Sequence, residues 1–98
     1  MSNLPTAYAR KAVEAACLYL RVPVDVVFSP SRTYEAVRAR CAAILALHHQ
    51  NRWSKCSIGR RFKRDHTTIL NAIKKAEIRR GECHVFEAAY QAAMRALQ

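Results

Sequence analysis

Glycine is scarce in this chain: only Gly59 and Gly81 occur among 98 residues, and few clusters of turn-forming residues interrupt it. Short strands joined by tight turns need many such residues, so this scarcity favours helices over a β fold. Apolar residues make up 51% of the chain, which argues against disorder. We therefore expect an all-α fold, a small helical bundle formed by a single domain over residues 1–98.

The spacing of apolar side chains predicts five helices, at about 6–20, 33–49, 55–62, 66–80 and 84–97. A single helical turn at 25–28, capped by Asp25, is expected between Pro23 and Pro30, followed by a loop at 29–31. Asp65 is expected to cap the helix at 66–80, and Gly81 suits the position just after its end. The buried sides of the last two helices are expected to carry Ile69, Ala72, Ile73 and Ala76, and Phe86, Tyr90, Ala93 and Leu97.

Positive charge is confined to one half of the chain. Residues 32–80 hold 13 Lys and Arg against 3 Asp and Glu, a net charge of +10, whereas the remaining residues hold 4 of each sign. Such a concentration predicts a polyanionic partner, with nucleic acid first and an anionic membrane second, against the alternative of a basic surface that only confers solubility. No run of 18 apolar residues is present and no signal peptide is evident, so we expect a cytoplasmic, nucleoid-associated protein.

The four cysteines do not have the spacing of a metal site, since they are scattered and form no CxxC pair. Cys17 and Cys41 lie in apolar helical runs and are expected to be reduced core residues. Adjacent His48 and His49 diverge on one helix. We expect no metal and no cofactor.

A short helix, a tight connection at Lys63-Arg64 and a longer helix form the pattern of a helix-turn-helix over about residues 55–80. In that motif the second helix enters the major groove of DNA with its first residues against base edges. Asp65 suits the amino group of cytosine or adenine, and His66 suits a thymine methyl group or a base edge. Thr67 and Thr68 allow close approach and phosphate contact, and Asn71 follows one turn later.

Basic residues surround this segment and suit phosphate contacts, which supply affinity and little sequence information. They are Arg60, Arg61, Lys63, Arg64, Lys74 and Lys75. The acid among them would disfavour DNA unless its carboxylate meets a base amino group, which penalises wrong sequences.

The segment SIGRRFKRDHTTILNAIKK resembles the DNA-binding domain, domain IV, of the bacterial replication initiator DnaA, and the likeness covers roughly residues 8–97. The resemblance implies a Trp-repressor-like helical bundle that binds a nine-base-pair duplex site. By position, it implies that Asp65, His66 and Thr67 read bases in the major groove, that Thr68 lies near bases and phosphate, and that Arg32 enters the minor groove. It also implies phosphate contacts for Arg40, His48, Lys55 and Cys56, the last two through their backbone.

Three departures from the family suggest a shifted site preference. One residue is missing between Phe62 and Arg64, Lys55-Cys56 replaces a Leu-Pro pair, and Asn71 stands where the initiator often has His. No GxxxxGK[ST] motif is present, so we expect no nucleotide binding and no ATP-driven initiation.

The expected function is therefore a small, non-enzymatic regulator of transcription or replication that binds double-stranded DNA at a DnaA-box-like site, as small phage or mobile-element regulators can. The sequence does not decide whether the protein forms a homodimer through its first helix. The alternatives are a protein-interaction module whose basic face docks on an acidic partner, a sequence-tolerant RNA binder, and a small nuclease that uses His48, His49 or His66.

Overall fold

Six helices form the part of the chain that the computed structural model describes, which is residues 3–29, 32–50 and 52–98, with side chains in the first helix from residue 9 onward. They are α1 (Asn3–Leu20), α2 (Val24–Phe28), α3 (Tyr34–Gln50), α4 (Lys55–Phe62), α5 (His66–Arg80) and α6 (His84–Ala96). The predicted all-α fold is confirmed. The bounds of α4 agree with the sequence pattern, whereas α1 begins three residues earlier than predicted and α3 ends one residue later.

Helix α3 is the centre of the bundle. It contacts α1, α2, α4, α5 and α6, and every side chain from Ala39 to Leu47 is buried. A helix packed by neighbours on several sides must be apolar around most of its circumference, which explains the run CAAILAL over residues 41–47. Helices α1 and α6 pack on each other and on α3, whereas α4 packs on α5 and α3. The fold therefore packs the α4–α5 pair against a buried central helix.

The predicted core stripes are confirmed. Ile69, Ile73 and Ala76 of α5 are buried and Ala72 is half-buried. All four residues predicted for the last helix are buried, although Leu97 lies just after the end of α6. Cys17 and Cys41 are free thiols in the core. Burial, with a smaller contribution from Glu14, raises the pKa of the Cys17 thiol to about 11. Both thiols are therefore inert apolar packing groups.

The predicted cap at Asp25 is wrong. Pro23, not Asp25, occupies the position before α2, and its carbonyl accepts a bond from the N–H of Val26, so that Asp25 lies inside the first turn. Gly81 follows the last residue of α5, as predicted, but it lies in the right-handed helical region, with φ of −84°, so this cap does not need the left-handed conformation that favours glycine. Residues 30 and 31 of the predicted loop at 29–31 lie outside the described residues.

Candidate nucleic-acid interface

The turn between α4 and α5 depends on a close approach of two main-chain segments. Lys63 adopts the left-handed region (φ 55°, ψ 47°), which reverses the chain immediately after α4. The N–H groups of Lys63 and Arg64 both donate to the carbonyl of Gly59, the latter at 2.8 Å. A side-chain carbon at residue 59 would lie 2.6 Å from the carbonyl oxygen of Arg64, so only glycine fits there without a shift of the turn.

Asp65 stands at the N-cap position of α5, as predicted, but its carboxylate makes no capping hydrogen bond. Its side chain is 70% exposed and its Oδ1 lies 3.7 Å from Nδ1 of His66, whose side chain is 63% exposed. The partial positive charge of a helix N-terminus favours an anion at this position. A carboxylate and an imidazole therefore face outward together at the start of the helix, with their remaining donors and acceptors available.

The other predicted base-contacting residues of α5 are exposed near the same end of the helix. Thr67, Thr68 and Asn71 are all exposed, whereas Ile69 and Ile73 turn inward. Thr67 and Asn71 are four residues apart and share one face of the helix. The structure thus separates a polar outer face from an apolar inner face within the first two turns of α5.

A cleft of about 510 Å³ between α3 and α5 brings Arg32 together with this polar face. Arg32 is exposed and lines the cleft with Arg64, Thr68, Asn71 and Lys75, above an apolar floor that includes Ile44. Arg32, expected in the minor groove of DNA, and the α5 residues, expected in the major groove, thus line the same cationic cleft although they are distant in sequence.

Arg40 and Arg64 lie differently from the phosphate contacts that the sequence predicted. Arg40 is only 7% exposed; its Nε donates to the carbonyl of Val27 at 2.8 Å and its Nη2 to that of Ser29 at 3.1 Å. Arg64 donates to the carbonyls of Phe62 at 2.9 Å and Ser29 at 2.7 Å. Burial, and then the charge of Arg64, lowers the pKa of Arg40.

These two guanidinium groups satisfy carbonyls at the end of α2 that have no partner within the helix. They tie that helix end to the turn before α5. Sequence reasoning missed this role because no pattern reveals which carbonyls of α2 face α3 and the turn.

The remaining predicted phosphate contacts differ in exposure. Arg60, Lys63, Lys74 and Lys75 are exposed, whereas Lys55 and Arg61 are half-buried. The guanidinium carbon of Arg61 lies 5.8 Å from the centre of the Trp53 ring, so this tryptophan packs beneath a cation on α4. His48 is half-buried, and its Nδ1 lies 3.1 Å from the carbonyl oxygen of Trp53. Since a carbonyl oxygen only accepts, this hydrogen bond needs the hydrogen on Nδ1.

The other histidine of the predicted pair is part of a structural contact. Nδ1 of His49 lies 2.7 Å from the hydroxyl of Tyr90 on α6. Within the described residues, no three His, Cys, Asp or Glu side chains come together in a way that would hold a metal ion. No helix in the same part of the chain is long and apolar enough to cross a membrane.

Comparisons with known proteins identify the family. Residues 10–76 match the family model Bac_DnaA_C, described as the bacterial dnaA protein helix-turn-helix. The chromosomal replication initiator proteins DnaA of Mycoplasma pneumoniae and Mycoplasma genitalium are 36% and 35% identical over 63 residues, which are 64% of this chain. The chain covers only 14% of the length of each initiator.

A solved structure described as that of a DNA replication initiation factor superposes with a TM-score of 0.81 and 25% identity. The match covers 99% of this chain and 31% of the other, so the whole bundle, α6 included, follows the fold of a piece of that factor. Since the family model spans α3, α4 and most of α5, the helix-turn-helix built around Gly59 lies inside the matched region. The chain belongs to the bacterial DnaA helix-turn-helix family.

Proposed function

We propose that this protein binds duplex DNA sequence-specifically, with the first turns of α5 in the major groove, and regulates replication or transcription by covering its site. The observation that supports this proposal best is that the carboxylate of Asp65, which makes no capping hydrogen bond, lies beside the imidazole of His66. Both are exposed at the start of the second helix of a helix-turn-helix. An acid at that position is unfavourable against phosphates and favourable only against a base amino group, so it discriminates among sequences.

Affinity is expected to come from the cations around this end of the helix. Arg60, Lys63, Lys74 and Lys75 are exposed and suit phosphate oxygens of either strand. Arg32, which lines the same cleft as Thr68 and Asn71 of α5, suits the narrow minor groove next to the site. The membership of the chain in the DnaA helix-turn-helix family supports a target related to the sites of that family, and the missing residue in the turn supports a shifted preference.

The test begins with selection of bound duplexes from a random pool at about 0.15 M salt, the regime in which nonspecific binding is weak. Asp65→Asn then removes the charge and keeps the shape of the side chain, and because the carboxylate makes no capping bond, helix α5 loses no hydrogen bond. We expect a loss of about 1–3 kcal/mol on the selected duplex and no loss on random duplex, where the carboxylate is unfavourable against phosphates.

Lys74→Ala is the matched variant on the same helix. It should weaken binding to both duplexes about equally and reduce the slope of log K against log salt by about one unit. Equal losses on the two duplexes for Asp65→Asn would reject base reading. A wild-type protein that enriches no sequence and shows no salt-dependent DNA affinity would instead favour an acidic protein partner.

A further inference from the structure

A second pair of arginines converges on one aromatic ring, away from the start of α5. The guanidinium carbons of Arg38 and Arg79 lie 5.1 Å and 5.3 Å from the centre of the Tyr34 ring. Tyr34 is 59% exposed although it is a large aromatic residue. Arg38 Nε and Arg79 Nη1 are buried without a hydrogen-bond acceptor, as expected when a guanidinium packs against an aromatic surface. The ring thus holds the two charges in place.

No carboxylate neutralises this pair among the described residues. The ion pairs in that part of the chain involve Arg10, His49, His66 and Arg80, and neither Arg38 nor Arg79 takes part in one. The contrast with the next residue is clear, since Arg80 forms two hydrogen bonds with Glu87, at 2.7 Å and 3.1 Å. Two like charges held near one ring without an acid lack a counter-charge, which an oxyanion supplies.

The field of both arginines acts at one place, the start of α6. Cys83 accepts the N–H of Phe86 through its Sγ, and this bond, together with the positive charges of Arg38 and Arg79, lowers the pKa of the thiol. Arg38 on α3 and Arg79 on α5 therefore both place positive charge near Cys83, at the N-terminus of α6.

The patch formed by Tyr34, Arg38 and Arg79 continues the cationic cleft along α5. Lys75 lines the cleft, and Arg79 follows it by four residues, so the two cations share a face of the helix. From Asp65 to Arg79 the helix rises about 21 Å at about 1.5 Å per residue. That distance equals about six base pairs at about 3.4 Å each when it is measured along a duplex.

We propose that Arg38 and Arg79, held by Tyr34, form a second phosphate-binding site that takes one backbone phosphate of the bound duplex, up to about six base pairs from the bases read by α5. The proposal rests on the proposed function only in requiring that duplex DNA is bound. A backbone phosphate is the favoured occupant because the patch adjoins a continuous cationic surface, which suits a polyanion better than a single ion. Free phosphate shares the same chemistry and is a separate outcome of the test.

The test compares the double variant Arg38→Gln/Arg79→Gln with Arg21→Gln/Arg95→Gln, which removes two exposed cations from outside the basic segment. Dissociation constants are measured at 50 and 200 mM salt on a selected duplex with long flanks, and on duplexes trimmed from either end. Because one phosphate contact changes affinity roughly 3.5-fold over this salt range, the ratio of the two constants should fall by about that factor for the first variant and much less for the second. Trimming one flank, and not the other, should remove the difference between wild type and the first variant.

Two further variants separate charge from positioning. Tyr34→Ala keeps both arginines but removes the ring and should reproduce part of the loss, whereas Tyr34→Phe should bind like wild type. NMR of the arginine Nε–H groups, titrated with inorganic phosphate or with the selected duplex, identifies the source of the phosphate. We expect the duplex to shift the Arg38 and Arg79 signals at concentrations where inorganic phosphate does not.

The inference is overturned if the first variant keeps the wild-type salt dependence or loses affinity equally on all trimmed duplexes. It is also overturned if the Arg38 and Arg79 signals of the wild-type protein respond to inorganic phosphate alone. The proposed function fails separately. A wild-type protein without preference for the selected over random duplex would refute base reading, even where Arg38→Gln/Arg79→Gln reduces the salt dependence as expected.

Discussion

Gly59→Ala tests whether the close approach at the turn, rather than helix propensity, decides the residue in the middle of α4. Alanine in a helix interior is favoured over glycine by about 1 kcal/mol. Against this, the added methyl group would lie 2.6 Å from the carbonyl oxygen of Arg64, a main-chain atom that cannot rotate away. Overpacking of this kind costs about 1–3 kcal/mol.

The turn can relieve the clash only by moving away from α4. That movement stretches the 2.8 Å bond from the Arg64 N–H to the Gly59 carbonyl, and losing this bond costs about 1 kcal/mol. The propensity gain and the lost bond roughly cancel, so we expect Gly59→Ala to lower the free energy of unfolding by about 1–3 kcal/mol. Affinity for the selected duplex should fall as well, because the angle between α4 and α5 changes.

The measurement is urea denaturation followed by circular dichroism, with Gly81→Ala as the matched control. At residue 81 the nearest atom to an added methyl group is the Ile78 carbonyl oxygen at 3.7 Å, an ordinary contact, and φ is −84°. Gly81→Ala should therefore raise the free energy of unfolding by about 0.4–1 kcal/mol, chiefly by restricting the unfolded chain. If Gly59→Ala were as stable as wild type, the packing argument would be refuted.

Two other substitutions test hydrogen bonds made by arginine side chains. Arg64→Lys keeps the charge, but a lysine cannot bond to the carbonyls of both Phe62 and Ser29. The free energy of unfolding should therefore fall by about 1–3 kcal/mol, with no change in the salt dependence of DNA binding. A reduced salt slope with unchanged stability would show a phosphate contact instead. Hydrogen bonds from Arg80 and then Gln91 lower the pKa of Glu87 below its ordinary value of 4.5, so its stabilising contribution is present above that pH and is lost as the pH falls through the lowered value. Denaturation between about pH 3 and 7 should therefore show a difference between wild type and Glu87→Gln that shrinks toward the acid end, and a constant difference would exclude this linkage.

The sequence predicted the helices well because their periodicity is a local property. Helix α4 and the exposed start of α5 follow from Lys63, Asp65 and the apolar spacing around them, and both lie where expected. The cap at Asp25 failed because the helix begins one residue earlier, with the Pro23 carbonyl accepting the first bond. Offsets of one or two residues at a helix end depend on packing of the turn against its neighbours, which a local pattern does not contain.

The contacts of the arginines could not be predicted from the sequence. Arg38, Arg40 and Arg64 are the same residue type with the same charge. Arg38 nevertheless packs on Tyr34, whereas Arg40 and Arg64 bind main-chain carbonyls at the end of α2 and in the turn. These outcomes depend on where α2 and α5 lie against α3, which is a tertiary property. The same limit explains why the pairing of Arg79 with Tyr34 had no signal in the sequence.

The count of cations available to DNA is consequently smaller than the sequence suggests. Nine Lys, Arg and His residues were expected to contact phosphate, and three of them, Arg40, His48 and Arg64, already contact main-chain carbonyls. With about 0.9 units of salt slope for each phosphate, the six that remain predict a slope near −5, whereas nine would give about −8. The proposed Arg38–Arg79 site adds one contact and moves the expected value to about −6 on long duplexes. A measured slope of −8 would mean that Arg40 and Arg64 exchange their carbonyl partners for phosphates when DNA binds, and that the end of α2 rearranges in the complex.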